Sequence, residues 1–421
     1  MNRKVCHNLK NGGSTIVLAL LAVVMLMVIG GGILSIGLQG QFTAIRTGSE
    51  IKARTAADAG LTQALFMMNR QILGKVKVIS YLPLAENQPL PYSDSTFSYK
   101  IAFEDRNAKK NEFAVVSSGK SDRFQRTVYA NIGLKGLFEY AVLVKDSIIM
   151  KNDTVIDGYN SSDPTDTNVD VQIGTISTEE SNVILNNAVV INGDVLVGVG
   201  GDPAEVIVDH GATTDSRKMM AEEPDFPLIT APALTDMASS IQAAGITQTI
   251  GPADNGKYNG IDLEQISTKI TGTTYVNPGT LVVDGGDVVL HITGDVLLGE
   301  GCEIIVKTGS SLKLYVDGII NCKTNSSIGY EGTPTEPTHI QIYSTSTEDL
   351  NWDIKAKNHF SGTIYAPTVD LDIYAKGDIY GSIVADDFEF KAGGNFHYDK
   401  TLREVDLDDE GVQFVVKSWR E

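Results

Sequence analysis

No charged side chain occurs between Lys10 and Arg46, and within that window Thr15 to Leu38 is almost entirely apolar. At about 1.5 Å per residue such a run crosses the ~30 Å hydrocarbon core of a bilayer as one helix. Arg3, Lys4 and Lys10 precede it. The positive-inside rule then keeps the N-terminus cytoplasmic and exports everything after the helix. The partner this implies first is inner-membrane lipid. A cleaved signal peptide is one alternative, although the run exceeds the usual apolar stretch of about 7–15 residues and lacks a clear A-x-A site. A generic single-pass anchor is another.

The residues beyond the apolar run bear on that choice. From Glu50 to Leu73, apolar residues fall at Ala57, Leu61, Ala64, Leu65, Met68 and Ile72, the spacing of one helical face. The helix is expected to leave the membrane without a break and become amphipathic. Gly30-Gly31-Gly32 is expected to loosen it inside the bilayer.

Two segments carry a resemblance. Gly13-Ser14-Thr15-Ile16-Val17-Leu18-Ala19-Leu20-Leu21 and Ala53-Arg54-Thr55-Ala56-Ala57-Asp58-Ala59-Gly60-Leu61 together resemble the N-terminal domain of PilX-type type IV pilus assembly proteins. They are similar also to K-type pseudopilins of type II secretion. The resemblance implies a basic leader, residues 1–13, cut by a prepilin peptidase between Gly13 and Ser14, with the Gly12-Gly13 bond as second choice. It implies a helix over 14–75 that packs against other pilins or pseudopilins through Thr15, Leu18, Leu21, Leu26, Ile29, Leu34 and Leu38. Major pilins carry Glu as the fifth residue after the cut, where this chain has Leu18. That departure disfavours a repeating major subunit and suits a minor or tip component.

Two X-Pro turns, at Pro83 and Pro89-Leu90-Pro91, end the helical region. Strand-like runs come next, at Thr96 to Glu104, Glu112 to Ser118 and Arg126 to Leu134. They predict a small antiparallel β head over 76–138, resembling that of a small pilin.

The bulk of the chain, 139–400, consists of short apolar runs separated by Gly, Asn or Asp. Ile191-Asn192-Gly193-Asp194-Val195-Leu196-Val197-Gly198-Val199-Gly200 nearly repeats as Ile292-Thr293-Gly294-Asp295-Val296-Leu297-Leu298-Gly299-Glu300-Gly301. Strands with turns at recurring offsets predict a β-solenoid, right-handed and β-helix-like, with a sandwich or irregular β domain as runner-up. Residues 213–258 break the pattern and are expected to form an insertion or strap, with a short helix at Leu234 to Ala244. Residues 401–421 are expected to form a C-terminal strand or tail. The Gly362-Thr363-Ile364-Tyr365-Ala366-Pro367 and Phe396-His397-Tyr398-Asp399 elements resemble the β domain often joined to PilX-type N-termini. The fold class is thus α+β, mainly β.

With a formal charge of −19 the chain is a poor partner for nucleic acid. Asp370, Asp372, Asp378, Asp386 and Asp387 are the best acidic candidate cluster. Asp370 and Asp372 alternate with Val369, Leu371 and Ile373, so their carboxylates share one face. A polysaccharide lyase or hydrolase could use such a pair, as could calcium; a solvated acidic strand face is the plainer reading. Asp153, Asp157, Asp163, Asp166 and Asp170 offer calcium a weaker chance, without a D-x-D-x-D-G loop. The six histidines show no zinc spacing, and no metal is expected. His397, beside Tyr398 and Asp399, is expected to serve as a structural hydrogen-bonding group at the solenoid end. Three cysteines are too few for a disulfide scaffold. Cys302 and Cys322, twenty residues apart, are expected on adjacent coils where they can pair.

The sequence therefore reads as a structural, non-enzymatic, pilin-like or pseudopilin-like inner-membrane component. It would display its β domain outside the cytoplasm for assembly, adhesion or polysaccharide contact. The rivals are a membrane-tethered carbohydrate-active β-helix enzyme and an envelope scaffold without a pilus.

Overall fold

A computed structural model describes residues 14–73, 82–103, 112–163, 165–166, 169–271, 273–332, 335–374 and 377–421. Gly12, Gly13 and the rest of the expected leader lie outside them. The chain divides into two units, Met1–Gly133 with Phe414–Glu421, and Leu134–Gln413.

In the first unit, helix α1 runs from Ser14 to Leu73 without a break. The glycine triplet does not interrupt it: an uncrowded helix interior tolerates glycine at roughly 1 kcal/mol each, and nothing approaches Gly30, Gly31 or Gly32 within 4 Å of where a Cβ would sit. Leu18, Leu26 and Leu34 are each 68% exposed. Farther along, Ala53, Ala56, Ala57, Leu61, Ala64 and Met68 are buried. These small residues let a strand lie directly on the helix. Ser117 donates to the Ala57 carbonyl at 2.6 Å, and a Cβ on Gly119 would sit 2.0 Å from the Ala53 oxygen. Glycine is therefore required there.

The sheet on that helix has five strands. Thr96–Phe103, Glu112–Ser121 and Phe124–Lys135 are the expected antiparallel strands. The proline-bounded segment Leu84–Pro89 is not merely a turn but an edge strand, paired with Thr96–Lys100. The last strand, Gln413–Arg420, joins the same sheet and sends Phe414 against Phe113, ring centroids 5.4 Å apart. The second unit is thus an insertion between two strands of one sheet.

That second unit is a parallel-strand β domain with three walls. Within each winding, a strand pairs with the one that lies a full circuit later. One wall stacks Ala243, Leu263, Leu298, Cys322 and Ile354 inward, then continues through Ile373, Phe390, Met150 and Leu185. A second stacks Leu281, Ile304, Ile328, Phe360, Ile379, Phe396, Ile156 and Ile191. The third stacks Leu290, Leu314, Ile342, Ile364, Ile383, Val142, Ile173 and Val195. These columns are almost completely buried.

The order of winding is not the order of stacking. The chain enters in mid-stack at Val142, winds to one end at Thr213–Met219, and crosses to the opposite end. It then winds back from Ile241 until Ile383–Ala385 pairs with Val142–Val144. The 213–258 segment is accordingly not an insertion. Thr213–Met219, Ile241–Ala244, Thr247–Ile250 and Gly256–Tyr258 are rungs, and only the stretch between Met219 and Ile241 is a connector. No helix forms at 234–244. Its last four residues, with Ile241 and Ala243 inward, alternate as a strand instead. The connector crosses the outside of the third wall, where the Tyr365 hydroxyl donates to the Pro227 carbonyl at 2.8 Å. Tyr315 and Tyr343 stack at 5.3 Å on the same outer surface.

Closure makes the stack interdependent. Ile383→Ala removes a fully buried side chain at the seam and is expected to cost about 2–5 kcal/mol in chemical denaturation. Hydrogen exchange of the variant should lose protection at Val142–Val144 as well as on the substituted strand. Loss confined to the substituted strand would show that the two windings fold separately.

Candidate functional site

The acidic stretch found in the sequence divides into three environments. Asp372 points outward on the first wall and is held by Lys391, Nζ at 2.5 Å, which also lies 5.4 Å from the Tyr374 ring centroid. On the neighbouring rung Asp353 pairs with Lys355 at 2.5 Å. Asp372 is thus one half of an ion pair and not a free partner for Asp370.

Asp370 belongs instead with Asp386 and Asp387, at the corner where the third wall turns into the first. Parallel pairing sets Asp370 beside Asp387 on the next rung, and carboxylate oxygens of all three lie within 4.8 Å of one another. Asp387 accepts from the Ser147 backbone at 2.7 Å and also from its hydroxyl. Lys145 Nζ approaches Asp386 at 3.9 Å. Burial, then the charges of Asp387 and Asp386, push the Asp370 carboxyl above its usual range. Burial raises Asp386 too, against the pull of Lys145. Asp146 is raised by burial and by Asp387. Chemically, three convergent carboxylates match the oxygen-rich ligand set of calcium. Among the described residues this is the one such group of three. Asp157, Asp163 and Asp166 turn to other partners: His397, Thr165 and Lys400.

Asp378 lies on the second wall with His397. That histidine is not at an end of the stack but at the seam, between the last rung and the first. Its Nδ1 is 2.5 Å from Asp157 and its Nε2 3.6 Å from Asp378. The Tyr380 ring lies between His397, centroids 4.7 Å apart, and His359, 5.4 Å. Tyr159 meets Tyr380 edge-on at 5.6 Å. Burial pulls the His397 pKa down, but bonding to Asp157 and the Asp378 charge outweigh it and leave a net rise. His359 is lowered by burial. Sequence reasoning missed His359 and Tyr380 as neighbours of His397, because their proximity depends on rung register.

Cys302 and Cys322 are free and buried. One circuit carries Leu298 to Cys322 and Glu303 to Ser327. A spacing of twenty is therefore out of step with the coil. Burial raises both thiols, Cys322 to about 12.

Residues 235–405 match a family model described as a domain of unknown function, DUF7305. No curated protein matches the chain. Among solved structures, the competence-associated pilin ComZ from Thermus thermophilus is similar at 13% identity. That match covers 89% of this chain and 97% of the other, with a TM-score of 0.23. An ice binding protein from an Antarctic bacterium, Flavobacteriaceae, is similar at 11% identity over 61% of this chain and 78% of its own, TM-score 0.20. Both scores are too low to establish a shared fold.

The site carries two pH responses. Asp370 has a folded pKa above its unfolded value, so its contribution favours folding at low pH and is lost as pH rises through the folded pKa. Asp370→Asn should raise the melting temperature at pH 7 and leave it unchanged near pH 2. Calcium at millimolar concentration should reverse that order if the trio holds the ion; equal melting curves with and without calcium would exclude it. His397 carries the same sign in another window. Its stabilisation is complete below about pH 6.5, the unfolded value, and fades as pH rises through the higher folded pKa. His397→Gln should flatten thermal stability between pH 6 and 9. A wild-type profile already flat there would show that the seam pair does not couple to folding.

Proposed function

We propose that the chain is a minor pilin-like or pseudopilin-like membrane component that displays its parallel β domain outside the cytoplasm for assembly or adhesion. One observation carries the reading. α1 is a single helix long and apolar enough to cross a membrane, exposed on every side through its first half and docked on a sheet through its second. Exposed leucines all around the helix suit lipid or neighbouring apolar helices and not water. Leu18, Leu21, Leu26, Ile29, Leu34 and Leu38 all belong to that exposed half. The resemblance of residues 13–21 and 53–61 to PilX-type N-termini supports the same reading, with a prepilin peptidase and other pilins as partners.

On this reading the β domain works through its surfaces and not by turnover. The pairing of Asp372 with Lys391 and of His397 with Asp157 supports that view, since both candidate groups already serve structural pairs. An envelope scaffold without a filament would share the anchor but not the processing.

Intact-mass analysis of membrane-extracted protein tests the proposal. A mature N-terminus at Ser14 is expected, and Gly13→Leu should leave the leader attached and abolish recovery in the sheared surface fraction. A native N-terminus at Met1, or one beyond Gly40, would sink the pilin-like reading.

A further inference from the structure

The two ends of the parallel stack differ. One end rung, Ile207–Asp209 with Thr213–Met219, is guarded by charge: Arg217 bonds Asp209 at 2.6 Å and Lys218 bonds Asp194 at 2.8 Å. Asp215 lies on the same strand. Charges of this kind are how natural sheets keep an edge from pairing with another chain.

At the other end the first and second walls have no such guard, and Asp236 is the charge on the terminal rung of the third. From Ser239 to Ala253 there is no charged residue, in a chain of net charge −19. Ile241–Ala244 pairs with Ile261–Glu264, and Thr247–Ile250 with Thr280–Val283. Among the described pairings each has that single neighbour. The Ile241 and Gly245 amides donate inward to Gly260 and Glu264 at 2.9 Å. In a parallel ladder alternate residues serve opposite neighbours, so Gln242 and Ala244 turn their backbone groups away from the stack. Only the third wall is closed at this end, where Met237 and Thr235 bond Lys257 at 2.9 and 2.8 Å. Gln242, Ala244, Thr247 and Thr249 are exposed, and Ile246 is 60% exposed at the corner between the two open strands.

We propose that two copies of this chain join end to end through the Ile241–Ile250 edges, antiparallel and about a two-fold axis. An extended strand is the occupant that satisfies outward amides and carbonyls. An uncharged edge accepts it without stranding a charge only if the incoming strand is uncharged as well, and a second copy of this edge meets that condition. Elsewhere two copies of so acidic a chain meet with net repulsion. The charged opposite end disfavours head-to-tail stacking, so the contact closes at two instead of growing into a fibre. The interface lies on the β domain and does not depend on how α1 assembles.

The test uses the full chain in detergent, with Cys6→Ser, leaving the buried thiols Cys302 and Cys322. Ala244→Cys, or Gln242→Cys or Thr247→Cys in parallel, is oxidised at low micromolar protein. A disulfide-linked dimer is expected from at least one of them. Adding Thr249→Lys with Gln242→Lys to the Ala244→Cys or Thr247→Cys protein should cut its yield at least tenfold, with the melting temperature unchanged. No cross-link at any of the three positions would overturn the proposal. So would a dimer indifferent to the two lysines, which would assign association to another surface and leave the role of α1 untouched.

Discussion

The pairing of Ile383–Ala385 with Val142–Val144 is the contact on which the β domain depends. Without it the first and last windings would each end in an unpaired edge in mid-stack. With it three inward columns run unbroken from one end of the stack to the other, and the chain's entry and exit come to the same level. The order Phe396, Ile156, Ile191 on the second wall shows the effect, since neighbours there come from opposite ends of the domain sequence. Contacts of such sequence separation are slow to form. They also explain why the domain can interrupt a five-stranded sheet: its two ends already lie on adjoining rungs.

The fold class was legible in the sequence, but winding and register were not. The near-repeat at Ile191–Gly200 and Ile292–Gly301 marks corners and not coils. Ile191 ends a strand of the second wall and Val195 begins one on the third, whereas Ile292 ends on the third and Val296 begins on the first. The shared Gly-Asp is what a tight corner needs. A Cβ on Gly193 would meet the Val171 carbonyl at 1.9 Å, and one on Gly294 the Asn259 carbonyl at 2.4 Å. Local sequence encodes such steric demands well. It does not encode circuit length, which changes from rung to rung as loops are added outside the core. The expected Cys302–Cys322 pairing failed for that reason.

The same limit governs the candidate site. Alternation within a strand sets Asp370 and Asp372 on one face, because a strand's faces are set by its period of two. Which charge neutralises which is decided across rungs. Lys391 comes from the next circuit to Asp372, and Asp387 from that same circuit to Asp370. Two carboxylates on one strand thus acquire opposite settings, one paired with a cation and one crowded by like charge. The three-carboxylate corner and the His397 seam are products of stacking, and neither spacing nor composition contained them.

Stacking also sorts the chain's excess acid. Along the outer first wall Asp353, Asp372 and Glu389 face Lys355, Lys391 and Lys151, so negative charge there is balanced rung by rung. At the end near Asp209 the same balance is kept by Arg217, whose hydrogen bond, ahead of those from the Ala212 and Gly211 amides, holds that carboxyl at about 2. Parallel stacking makes this balance possible, because residues on successive rungs are aligned and a lysine one circuit away lies as near as a neighbour in sequence. Where the alignment sets acid beside acid, as it sets Asp387 beside Asp370, the like charge adds to burial in raising the Asp370 carboxyl. Where it sets neutral residues at an edge, as at Gln242 and Thr247, nothing electrostatic prevents the ladder from continuing. The surface of the domain is therefore differentiated by register: balanced walls, one acidic corner, one guarded end and one open end.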